Sequence, residues 1–307
     1  MSEKSLVFSG IYAATLTPLD SSGKPNIDLM ASHCQWLLNN GCNGLAVLGT
    51  TGEANSFSVK ERISILDDLT AMGIPGETLM PGTGSCALPD TIELTRAALR
   101  NGMSSVLMLP PFYYKNLTDD GLFAAYSEVI QQVGNDSLRI CVYHFPQMSG
   151  VPISFSLIER LLKEYEGTVV GMKDSSGDSK NMISAAKNFP EFSVFSGSDE
   201  LLLPLIKAGG AGCITACANV GAPLASEIYT GWKKGGNVMS QHKLLTSLRN
   251  VIMKYPLSTA LKTLMARHVG NDEWLNIRAP LIRMNESDSE NLFKIFDSID
   301  YSIPLVN

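Results

Sequence analysis

The chain has 307 residues, 45% of them hydrophobic and 18% charged, which supplies a large buried core and excludes a disordered chain. Its 24 Lys and Arg against 30 Asp and Glu leave a net charge of −6, without the basic footprint of a nucleic-acid-binding protein. The opening residues MSEKSLVFSG lack the apolar run of a secretory leader, and no stretch approaches the ~18–20 apolar residues of a membrane span, so a soluble cytoplasmic protein is expected.

Short apolar runs, many ending in Gly, Pro, Ser or Thr, recur at 11–19, 44–49, 78–84, 105–111, 139–146, 169–174, 193–199 and 212–217. Most are continuously apolar rather than alternating, as strands covered on both faces are. Helical patterns lie between them. One spans 60–72, with Ile63, Ile65, Leu66 and Leu69 at helical spacing; another spans 90–101, with Asp90 as N-cap and Glu93 three residues on. Eight strands alternating with helices predict an α/β fold, a (β/α)₈ barrel over 1–224, with an open doubly wound sheet as the alternative. From about residue 225 the pattern is helical only (224–234, 239–254, 257–268, 276–284, 288–298), predicting a small C-terminal helical region over 225–307.

In such a barrel the site lies at the C-terminal ends of the strands. That rule selects Thr50 and Thr51, the pair Tyr113 and Tyr114, Tyr143, Lys173, the stretch from Gly197 to Glu200, and Ile214. Lys173 ends the run TVVGMK, and lysine is seldom buried without a partner. One reading is an ion pair with Asp174 or Glu200. The other is a nucleophilic amine, because apolar walls favour the neutral form that attacks a ketone and gives an imine. Such chemistry needs a proton carrier, and Tyr143 ends the neighbouring strand. GTTGE (49–53) offers two hydroxyls and backbone N–H groups suited to a carboxylate, or else simply caps a helix.

No GxxxxGKS or GxGxxG loop is present, so no nucleotide cofactor is expected. The six cysteines sit mostly in apolar context and the four histidines are scattered, which predicts structural thiols and no metal site.

Taken in order, TPLD (17–20), GTTGE, GTGS (82–85), PPFYY (110–114), VYHFP (142–146), GMKDSSG (171–177) and SGSDE (196–200) resemble the dihydrodipicolinate synthase/N-acetylneuraminate lyase family of Schiff-base aldolases over nearly the whole chain. The resemblance implies Lys173 as the imine lysine and Tyr143 as proton shuttle. Thr51 and Tyr114 would complete a relay, Tyr114 reaching in from a neighbouring subunit of a homo-oligomer, commonly a tetramer. Thr50, Thr51 and the Ile214 backbone would hold the carboxylate of pyruvate. Where the synthases carry an arginine for a second carboxylate, this chain has Met148, and a thioether cannot replace a guanidinium fork. His144 stands where the family usually has Asn, and either contacts substrate or packs behind the site. Gly197, Asp199 and Glu200 match the hydroxyl-binding set of the sialic acid lyases, with Ser175 for their Thr, but Ala216 falls on their strand-eight Ser.

The resulting expectation is a lyase or aldolase acting on pyruvate or a 2-keto acid, such as a 2-keto-3-deoxy sugar acid or related hydroxy-keto acid. The lysine-pathway synthase and a Schiff-base dehydratase are alternatives from the same chemistry; a non-catalytic keto-acid sensor is one from outside it.

Overall fold

A computed structural model describes residues 6–305. The first five residues of the N-terminal stretch and the last two of the C-terminal region lie outside the described residues.

Seven strands form one parallel sheet: β1 (Gly10–Ala14), β2 (Gly44–Ala46), β3 (Ser105–Met108), β4 (Arg139–His144), β5 (Val169–Asp174), β6 (Ser193–Ser196) and β7 (Gly212–Thr215). Their order is β2-β1-β7-β6-β5-β4-β3, so β2 and β3 are the sheet's two ends. The eighth strand expected at 78–84 is instead a short extended stretch that spans this gap. It bridges Leu45 to Leu79 on one side and Gly82 to Leu107 on the other. The Met80 and Gly82 N–H groups donate to Leu45 and Val47, and the Thr83 N–H donates to Leu107. Pro81 has no N–H to give toward β3, which interrupts the ladder at that point. The architecture is a nearly closed barrel with helices outside.

The other strands appear where expected; Val169–Asp174 keeps its expected bounds and the remaining six end early. The first run leaves the sheet after Ala14, because Asn219 Oδ1 takes the Leu16 N–H at 3.0 Å and Thr17 turns to the Gly52 carbonyl at 2.9 Å. Apolar residues continue past the strand ends because they line the barrel mouth, not because the ladder continues.

Helix Val59–Ala71 begins at a capping box between Ser58 and Glu61. The expected N-cap at Asp90 is corrected: the helix is Leu88–Arg100, with Ala87 at the cap and Asp90 inside the first turn. Pro89, whose fixed φ suits the first turn, moves the start forward. The boundary read at 224/225 lies within helix Ala218–Lys233. Beyond it come Met239–Ile252, Leu257–Val269 and Glu286–Asp297. No helix forms at 276–284; a 3₁₀ turn (Asp272–Leu275) is followed by irregular chain around Pro280, consistent with proline's restriction of itself and its predecessor.

Two apolar layers result. Tyr12, Ala46, Met80, Leu107, Cys141, Tyr143, Phe195 and Ile214 fill the barrel, while a larger cluster lies between sheet and helices. Asn219 ties β1 and the helix that follows it to the chain just after β7: its amide donates to the Ala14 and Ala216 carbonyls, and its oxygen accepts from Leu16 and His33. His33 is buried between Trp36 and Trp274. Burial lowers its pKa from 6.5 to about 4. Between those values the unfolded chain takes up a proton that the native ring refuses, so stability falls as pH drops through that window and is unaffected above it. The expected loss is about 3 kcal/mol. Thermal midpoints measured from pH 7 to 4 should show a shallower decline in His33→Gln than in the parent; parallel curves would remove His33 from the account.

Candidate active site

Alternation along parallel strands decides what faces the barrel axis. Tyr143 on β4 pairs in register with Lys173 on β5, and Lys173 with Phe195 on β6. All three point inward, and the Lys173 ammonium nitrogen lies 4.4 Å from the centre of the Tyr143 ring. Lys173 is buried, and among the described residues no carboxylate pairs with it. The two acids of the ion-pair reading are engaged elsewhere. Asp174 points outward, accepting from Ser176 (2.8 Å from its N–H, 2.6 Å from its hydroxyl) and from the Asn181 amide (2.8 Å). Glu200 accepts from the Ser198 hydroxyl at 3.2 Å.

His144, one residue past Tyr143, also faces outward. Its Nδ1 accepts the Ile153 N–H at 3.0 Å, which places any ring proton on Nε2. Burial holds its pKa below the ordinary imidazole value, with Asp174 opposing. Of its two readings, packing behind the site is the one the geometry gives. Cys213 and Cys217 are buried thiols whose pKa values burial pushes well up, inert at neutral pH.

Thr50 and Tyr143 line one small cavity of about 30 Å³ with Gly49, Gly82, Gly84 and Arg62. Thr51 is buried directly after it. Ile214, on β7, is in the barrel interior opposite Tyr12. Gly197 and Ser175 approach closely: a β-carbon at Gly197 would lie 2.0 Å from the Ser175 hydroxyl, so only glycine fits. Asp199 is not brought to the mouth with them. It is fully buried, accepting from Thr215 at 2.7 Å and facing Arg249 at 3.3 Å, where a buried carboxylate needs such partners. Glu200 and Met148 are exposed. Tyr113 and Tyr114, 74% and 70% exposed, pack edge to face with ring centres 5.4 Å apart and do not join Tyr143 within one chain.

The sequence reading missed what holds GTTGE in place. Glu53 has a left-handed φ of 57°, unusual for a residue with a β-carbon. Its buried carboxylate pairs with Lys262 and accepts the Arg278 N–H at 2.9 Å. The Ser258 hydroxyl donates to the Thr51 carbonyl at 3.2 Å from the same helix as Lys262. Arg278 bonds the Ser56 carbonyl at 2.8 Å and Glu61 at 2.6 Å while lying over the Phe57 ring. That contact and the Ser58 N–H hold Glu61 down to about 2. A lone lysine in the apolar run LSTALKTLM was the available signal for Lys262.

The family model described as the dihydrodipicolinate synthetase family matches residues 7–299. The chain belongs to that family. It is 33% identical over 292 residues to an uncharacterized DapA-like lyase of Chloroflexus aurantiacus, covering 94% of this chain and 96% of that protein. It is 29% identical to the 4-hydroxy-tetrahydrodipicolinate synthase of Agrobacterium fabrum, over 92% and 95%. The crystal structure of dihydrodipicolinate synthase from Agrobacterium tumefaciens matches with a TM-score of 0.88 at 30% identity, over 95% and 99% of the two chains. Membership makes this family member a lyase of the class I aldolase type.

Removing the Lys262 amine should leave Glu53 buried and underpaired, at a cost of about 3–5 kcal/mol. Lys262→Met combined with Glu53→Gln should cost clearly less than the sum of the single changes. Denaturant unfolding of the four proteins checks this; strict additivity would mean that the two side chains are not coupled.

Proposed function

We propose that this protein is a Schiff-base lyase that makes or breaks a carbon–carbon bond next to the keto group of pyruvate or a 4-hydroxy-2-keto acid. The observation that carries the reading is Lys173: a buried amine at a strand end, unpaired with any carboxylate among the described residues and set against the Tyr143 ring. A neutral lysine amine is the nucleophile that adds to a ketone.

The Lys173 nitrogen adds to the ketone carbon, and the carbinolamine loses water to give a protonated imine. Cleavage of the C3–C4 bond of a 4-hydroxy-2-keto acid then sends its electron pair into the imine. The C4 hydroxyl gives up its proton as an aldehyde leaves. Protonation at C3 and hydrolysis release pyruvate and regenerate the amine. Tyr143, whose ring centre lies 4.4 Å from the nitrogen, would pass protons in both directions. Thr50, Thr51 and the Ile214 backbone would hold the carboxylate. Tyr114, exposed in the single chain, would serve the site of an adjacent subunit in a homo-oligomer, with Thr51 completing the relay. Gly197, Ser175, Glu200 and Met148 would border the part of the substrate beyond C3.

The lysine-pathway synthase is the second reading, favoured by relatives bearing that name and opposed by Met148 at the arginine position. Incubation with pyruvate and borohydride, followed by peptide mass spectrometry, should yield a reduced pyruvyl adduct on Lys173 and none in Lys173→Ala. Full aldol turnover by a folded Lys173→Ala variant would overturn the mechanism.

A further inference from the structure

We infer that Asp199 and Arg249 are positioning residues: through Thr215 they fix the end of β7 where it parts from β6, and so present the Ile214 backbone to the carboxylate of the keto acid. This rests on the imine reading above and on its placement of that carboxylate.

β6 and β7 pair at Phe195 with Gly212 and at Ser196 with Cys213, and there their register ends. On its other side β7 stays with β1 for two residues more, Tyr12 pairing with Ile214 and Ala13 with Thr215. The cause of the parting lies in β6. The Gly197 N–H donates to the Asp174 carbonyl at 2.7 Å, which keeps this end of the chain on β5. The Ser196 hydroxyl then accepts the Ser198 N–H at 3.0 Å and donates to the Ser198 carbonyl at 2.7 Å, turning the chain out of the β7 ladder. Ile214 is thus left with a ladder neighbour on one side and a seam on the other. Backbone groups along such a seam call for a partner. Because Lys173 pairs with Phe195, and Phe195 with Gly212, Ile214 lies just past the level of Lys173 toward the barrel mouth.

Side chains make the link that the ladder does not. Asp199, just past β6, accepts the hydroxyl of Thr215, the last residue of β7, on Oδ1 at 2.7 Å. Its Oδ2 faces the Arg249 guanidinium of helix Met239–Ile252 at 3.3 Å. The Asp199 side chain is fully buried and that of Arg249 is 15% exposed. A carboxylate so placed needs both partners, and with one oxygen on each it acts as a strut between β6, β7 and the helix above them. The strut sets the position of Thr215 without drawing on the backbone of Ile214 beside it.

The test compares the concentrations of pyruvate and of pyruvamide at which borohydride trapping on Lys173 is half-maximal; pyruvamide presents the same ketone without the negative charge. Thr215→Val removes one hydrogen bond of the strut and should raise the pyruvate value about tenfold while leaving pyruvamide within about twofold. Thr215→Ser keeps the hydroxyl and should return pyruvate to the parent value. Arg249→Lys keeps the buried charge paired but loses the planar fork, and should shift pyruvate alone in the same direction. A role in stability only would lower the melting temperature and leave the ratio of the two ketones unchanged. Equal shifts for both ketones, or no shift in either variant, overturn the positioning role while the imine reading stands. No adduct with either ketone in the parent protein overturns the imine reading itself.

Discussion

Successive side chains of a parallel strand leave on opposite faces, and in β4 and β5 that alternation governs the whole site. The in-register pairs Tyr143 with Lys173 and His144 with Asp174 send one phenol and one amine into the barrel, and one imidazole and one carboxylate out of it. A slip of one residue would exchange the two sets, placing a carboxylate beside an imidazole in the apolar interior. The outward pair is not idle: His144 holds the Ile153 N–H, and Asp174 orders the turn through Ser176 and Asn181. The inward groups are thereby fixed by backbone and by polar contacts behind them, and among the described residues no side chain hydrogen-bonds the Lys173 nitrogen.

The second constraint is long in sequence and short in space. The GTTGE loop follows β2, yet its conformation is held by residues more than two hundred positions later. Glu53 could not remain buried without Lys262, and its left-handed backbone is retained because the Lys262 ammonium, the Arg278 N–H and the Ser258 hydroxyl all converge there. On the other side of the mouth, Arg249 performs a similar service for Asp199 and Thr215. The C-terminal helices thus support the active end of the barrel as well as covering its outer face.

Family membership and barrel architecture leave the distal half of the substrate to the loops, as this fold generally does. The central features are a lysine, a tyrosine and a threonine-bearing turn. At the rim, Met148 is exposed on the turn after β4 and Phe145 stacks on Tyr143, while Asp199, expected at the mouth, is closed inside.

The sequence by itself located seven of the strands along the chain, the lysine near the end of β5 and the tyrosine near the end of β4, because buried parallel strands are continuous apolar runs and a polar residue near their end stands out. Apolar runs do not say where a ladder stops, so all strand ends but that of β5 were read too long, and the stretch through Pro81 was read as a strand when it makes only bridges. Charged residues inside helical patterns do not name their partners, so Lys262, Arg278 and Arg249 went unseen and Asp199 was assigned to substrate. Those pairings join residues from 50 to more than 200 positions apart. Only the folded barrel, by bringing its last helices back over its first loops, decided which charges are buried together and which remain for chemistry.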